Sequence, residues 1–197
     1  MTLPKLNTPT YEVEQPSTGE MIKYRPFLVK EQKKLMMAQE SEDDAAIQNS
    51  LAEIIRDCTF EKIDPYNIPI FDVELFFLRI RSKSVGEKVD LNVLCPDDEE
   101  TRVKKTINLE DIGVIMKADH TNEIKITDKI KIIMRYPTLG DTVGLQSEPF
   151  DVFKMIQRCV YEVHDGEKIY NKVDISDSEL TEFVDSLTNE QFEGIAE

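Results

Sequence analysis

Two histidines, three cysteines and a run of four acids are the residues of this chain whose types could do chemistry. His120 falls in the turn Asp119–Asn122 between strand-like segments, and His164 falls at the end of a helical pattern. A general base needs its partner within hydrogen-bond reach. Neither histidine has a serine or cysteine beside it in a known nucleophile setting, although pairing through the fold stays open. Cys58, Cys95 and Cys159 are far apart and odd in number, which suits a reducing compartment better than a disulfide framework. Cys95-Pro96 has the form of half a zinc knuckle, but four-coordinate structural zinc needs further Cys or His ligands, and there is no second close pair. Asp97-Asp98-Glu99-Glu100 offers oxygens that Ca²⁺ accepts, without the alternating spacing and turn glycine of a calcium loop. Gly140-Asp141-Thr142-Val143-Gly144 lacks the Gly-Lys-Ser/Thr that contacts phosphate and metal. The expectation is no enzyme, no catalytic residue, no cofactor and no metal.

Charge narrows the classes further. The chain has 197 residues, a hydrophobic content of 40% and a formal net charge of -15. Binding phosphate in general needs a local excess of Lys and Arg, so a general nucleic-acid or anionic-membrane binder is not expected. The charge is uneven: the stretch from Arg79 to Tyr136 is +1 and the remainder is -16. The start, MTLPKLNTP, has no apolar signal region, and no run approaches the ~20 apolar residues of a membrane span. A soluble protein made in the cytoplasm is expected.

The elements that must position these residues are organised around Ile70–Glu87. Wound as a helix, Phe71, Leu75 and Leu78 fall on one side and Val73, Phe76, Phe77 and Ile80 on the other. Asp72 with Arg79, and Glu74 with Arg81, form two narrow polar strips between them. A surface helix shows one apolar stripe; two imply a helix wedged between two apolar surfaces, within its own fold or between its core and a partner. Gly86 suits a C-terminal cap, and Arg79, Arg81 and Lys83 suit the negative end of the helix dipole. That basic run, with Lys88, could equally touch an acidic partner.

Upstream, an extended arm over residues 1–10 precedes a hairpin, Tyr11–Gln15 and Met21–Arg25, around Pro16-Ser17-Thr18-Gly19. A helix follows from Val29 to Glu40 with Leu35, Met36 and Met37 as its apolar content; these read as core packing or, for the paired methionines, as an adaptable interface. Ser41–Asp44 caps a second helix with Ile47, Leu51, Ile54, Ile55 and Cys58 in one stripe, which makes Cys58 a packing residue. Downstream, Val89, Leu91 and Val93, then Val103 and Ile107, alternate as a β-ribbon with the acidic run at its tip. With Val114–Met116, Glu123–Thr127 and Ile130–Tyr136, they predict one antiparallel sheet of three or four strands over residues 87–137. Pro137–Pro149 reads as a loop and Phe150–Val163 as a helix ended by His164-Asp165-Gly166. Lys168–Val173 is extended, Ser176–Glu179 is a capping box, and Thr188–Gln191 opens a last short helix. The fold class is α+β, helical at both ends with a central antiparallel excursion. The expected divisions are 1–86, 87–137 and 138–197, the last packing back on the first.

LPKLNTPTYEVEQPSTGEMIKYRPFLVKEQKKLMMA, FFLRIRSKSVGE and SELTEFVDSLTNEQFE together resemble the baseplate hub assembly proteins of T-even-type contractile-tailed bacteriophages, from Leu3 to about Phe192. The resemblance implies a non-enzymatic protein made in the host cytoplasm, a hub component or a chaperone for the hub, working through contacts with other hub proteins and possible copies of itself. Where relatives often carry a second cysteine after Cys-Pro, this chain has Asp97 and Asp98, which favours a metal-free hairpin. Met36, Met37, Phe76, Phe77, Arg79, Arg81 and Lys83 are the candidate contact residues. Two readings from other classes stand beside this one: a small metal-dependent hydrolase of tail maturation, and a nucleic-acid-binding ribbon using Arg102, Lys104 and Lys105.

Overall fold

The computed structural model of the protein describes residues 6–97, 100–118, 120–143, 145 and 152–196. The first five residues of the arm, Asp98 and Glu99 of the acidic run, Asp119 of the expected turn, and Gly144 and residues 146–151 of the loop and helix start lie outside them. The chain is α+β and forms two compact units, Met1–Ile115 and Met116–Glu197.

In the first unit, β1 (Tyr11–Glu14) and β2 (Met21–Tyr24) pair antiparallel with Val13 opposite Ile22. The carbonyl of Gln15 accepts the amides of Thr18 and Gly19, and Gly19 takes φ +73° to reverse the chain, a backbone conformation that glycine adopts without a steric cost. Helix α1 (Val29–Glu40) starts on a buried carboxylate. Glu31 accepts from the Leu28 amide at 2.7 Å and pairs with Arg25 at 2.9 Å. Burial alone would raise the Glu31 pKa, but the Arg25 guanidinium, the Leu28 amide and Lys30 outweigh it and hold the carboxyl below its ordinary value. Helix α2 (Asp44–Cys58) is capped by Asp43 and buries Ile54, Ile55 and Cys58 of the predicted stripe together with Ala52, while Ile47 and Leu51 are half-buried.

Helix α3 (Ile70–Val85) packs on α2 and on a 3₁₀ turn at Leu109–Asp111. Both of its apolar sides are at least partly covered: Val73, Phe76, Ile80 and Leu75 are buried, and Phe71, Phe77 and Leu78 are half-buried. The two polar strips differ. Glu74 faces out, whereas Asp72 is fully buried and points inward, because it serves the hairpin turn. It accepts from Gln15 Nε2 at 2.7 Å, from the Ser17 amide at 3.2 Å and from the Ser17 hydroxyl. Beyond Gly86, β3 (Lys88–Leu94) and β4 (Arg102–Asn108) form a two-stranded ribbon.

The strands of residues 87–137 do not form the predicted single sheet. The ribbon is a two-stranded sheet of its own, and Val114–Met116 is not a strand. In the second unit, β5 (Glu123–Lys125) and β6 (Ile130–Met134) join two strands from the C-terminal region, β7 (Val160–Asp165) and β8 (Lys168–Asn171), in the order β5-β6-β7-β8. The loop expected at Pro137–Pro149 contains a short helix, α4 (Leu139–Thr142). The helix expected to reach Val163 ends at Cys159 as α5 (Val152–Cys159). Val160 and Val163 are three apart, as on a helix face, yet both enter the core from β7. The register shift opposite Ile133 and Met134 leaves Tyr161 unpaired and turns both valines inward, which is what a β-bulge does. His164 is thus a strand residue. Asp165 pairs with Lys168 across Gly166-Glu167, with Gly166 at φ +62°, as a two-residue hairpin loop requires. Helices α6 (Asp177–Asp185), with its Ser176–Glu179 capping box, and α7 (Asn189–Ala196) cover the sheet through Leu180 and Ile195.

Arg135 clamps the entry to α4, with both guanidinium nitrogens on Asp141 at 2.6 and 2.7 Å. Burial pushes the Asp141 carboxyl up, but Arg135 and Thr138 bring it below its ordinary value.

Two outcomes follow from these buried carboxylates. Asp72→Ala strands the Gln15 and Ser17 donors and should cost about 2–3 kcal/mol, read as a lower urea midpoint, while exposed Glu74→Ala should stay within about 0.5 kcal/mol. Glu31 and Asp141 have folded pKa values below the ordinary 4.5 and 3.8. Their stabilisation is complete above those values and is lost as pH falls through the lower folded ones. Unfolding midpoints should therefore hold down to about pH 4.5 and drop below it, and Glu31→Gln should remove part of that drop.

Candidate partner-contact surface

The seven candidate contact residues separate once they are placed in the first unit. Phe76 is 1% exposed and belongs to the interior. Phe77 is half-buried on the same helix. The Arg79 guanidinium donates to the carbonyls of Leu109 at 2.6 Å and Ile112 at 2.7 Å, stapling the segment after the ribbon to α3. Arg81 is half-buried, and its Nη1 is enclosed with no hydrogen-bond partner among the described residues. Lys83 bonds Glu87 at 2.6 Å, lies 3.5 Å from Glu110 and sits over the Tyr11 ring at 5.4 Å. Its pKa is raised, first by the Glu87 bond and then by Glu110. Glu110 is held below its ordinary value: burial opposes ionisation, but the Ser82 hydroxyl, Lys83 and Arg79 prevail. Arg79 and Lys83 are therefore engaged in holding the helix to its surroundings, while Arg81 Nη1 is not.

Met36 and Met37 are the opposite case, at 53% and 71% exposed. Helix α1 touches the rest of the unit along Glu31, Leu35 and Ala38, an i, i+4, i+7 seam. At 3.6 residues per turn Val29, Met36 and Met37 lie on the far side, with Lys33 among them, and all four are exposed. Leu28 is exposed at the same end. A thin seam suffices because the Glu31 carboxylate anchors the first turn, so the methionines are not needed for the core.

Periodicity missed one further apolar residue. Phe60 follows α2, is more than half exposed, and has φ +56° beside Glu61 at +60°. A bulky side chain rarely adopts that backbone region. It lies past the end of the stripe, where no sequence pattern marks it.

The chemistry-bearing groups are occupied locally. His164 Nε2 lies 2.8 Å from Glu162 Oε2 on β7, and the His120 ring stacks on Tyr136 with centroids 5.7 Å apart. Burial pushes the Cys58 and Cys159 thiols up to about 11, so neither is a thiolate at neutral pH. Among the described residues no three His, Cys, Asp or Glu side chains gather as a metal site would need, and no helix is long and apolar enough to cross a membrane. What the surface offers is apolar side chains on α1 and on the ribbon, suited to contact with other proteins.

Searches of curated proteins and of solved structures return no match to this chain. A family described as T4 bacteriophage base plate protein matches over residues 8–197. The match covers nearly the whole sequence, and the chain belongs to the T4-type phage baseplate protein family.

Proposed function

We propose that this baseplate protein works by protein–protein contact in building the central hub of the tail baseplate, as a hub component or as a chaperone for the hub, and that it catalyses no reaction. Its partners in this reading are other hub proteins of the phage, and it acts in the host cytoplasm while the tail is assembled. The observation that carries the reading is the outward stripe of α1. A regular, anchored helix leaves Val29, Met36 and Met37 in water, and unbranched thioether side chains adapt to more than one partner surface. An exposed apolar patch with Lys33 among its side chains is the kind of surface that marks an interaction site. The family membership agrees with it, since a baseplate is built from protein contacts.

The test replaces both methionines by aspartate in the full chain. Because they are exposed, the unfolding free energy should change by no more than about 0.5 kcal/mol. Complementation of a phage lacking the protein should fall at least tenfold, with incomplete baseplates in micrographs of infected-cell lysates. Complementation at the level of the unaltered protein would overturn the reading. Probing purified virions for the protein then separates the two forms: a retained chain is a component and an absent one is a chaperone.

A further inference from the structure

The ribbon has an unpartnered face of its own. Across β3 and β4, Val89 is opposite Ile107, Leu91 opposite Lys105 and Val93 opposite Val103, and directly opposed residues share a face. That face is apolar except for Lys105 at its middle. Leu91, Val93 and Val103 are 42%, 44% and 54% exposed. Neither strand pairs with any described strand but the other. Two-stranded ribbons are marginal alone and ordinarily gain stability by packing one face.

Charge indicates what fits there. On the opposite face Asp90 is already met, by Lys104 at 2.8 Å and by the Thr106 hydroxyl at 2.6 Å. Lys105 has no ion pair or hydrogen bond among the described residues. A cation within an apolar patch is favoured by a carboxylate brought by whatever covers the patch. A second copy laid face to face would bring another Lys105 instead, and like charges in one apolar interface are unfavourable.

We propose that the apolar face of the β3–β4 ribbon docks a segment of another baseplate protein that presents apolar side chains around a carboxylate set to meet Lys105. This rests on the contact reading above and assigns it a second surface, separate from the methionine stripe of α1.

The experiment places a photo-crosslinking phenylalanine analogue at Val93 or, separately, at Met37 of the full chain in infected cells, followed by mass spectrometry of the joined peptides. The Val93 label should join one peptide of one other phage protein, with an Asp or Glu among apolar residues. Lys105→Glu should cut that adduct at least tenfold, Lys105→Arg should restore it, and neither should change the Met37 adduct or the melting temperature. An adduct with a second copy of this chain, an adduct with a peptide lacking acids, or an adduct insensitive to Lys105→Glu would overturn the proposal. So would a Met37 adduct with no Val93 adduct, and in that case the contact reading stands. No adduct at either label would remove both.

Discussion

The Asp72 carboxylate lies in the first turn of α3 with none of its surface in water, held by the Gln15 amide and by the backbone and hydroxyl of Ser17. An ion taken out of water costs several kcal/mol unless its hydrogen bonds are replaced. Helix α3 can therefore occupy the interior only when the β1–β2 turn closes over it. The coupling runs both ways, because the turn places Gln15 and Ser17 where the carboxylate needs them. Past the middle of the helix Arg79 holds the carbonyls of Leu109 and Ile112. A hairpin near the start of the chain and a segment beyond the ribbon are thus fixed to one helix by ionic hydrogen bonds, with apolar packing filling the flanks between them.

The same device recurs wherever an irregular segment must be held. Glu31 with Arg25 fixes the start of α1, and Arg135 with Asp141 fixes the entry to α4. Each carboxylate stays ionised against its own burial because a guanidinium and backbone or hydroxyl donors surround it. Bidentate and charge-assisted bonds of this sort specify geometry as well as supply energy. A chain with 40% hydrophobic residues and no tryptophan thereby orders its connections without assigning every apolar side chain to the core.

Much of the first unit was legible because its signals are local. The turn residues at 16–19, the stripe from Ile47 to Cys58 and the double-sided pattern of α3 each follow from period and turn chemistry. The inward direction of Asp72 was not legible, since its partners lie more than fifty residues away in sequence. In the second unit, the Val160–Val163 spacing imitates a helix because the bulge at Tyr161 adds one residue to a two-residue period. The Asp165-Gly166 pair was the available signal for a hairpin, and it outweighs a helix-end reading because alternating residues follow it on β8. Isoleucine-rich β5 and β6 announced strands, but nothing local says that their neighbours come from beyond α5. Composition read Met36 and Met37 as core packing, with an adaptable interface as the other reading; the structure leaves both exposed, because the buried Glu31 anchors α1 without them.

Scattered exposed apolar residues are normal on any protein surface and call for no function. The stripe on α1 lies on the outward side of a helix already held by its Glu31, Leu35 and Ala38 seam, and the ribbon gathers its apolar residues on one face by strand alternation. The strong net negative charge adds a further constraint, since copies of the chain repel one another at distance. The same charge repels any acidic partner at distance, so attraction must act at short range, through exposed apolar side chains and a cation such as Lys105.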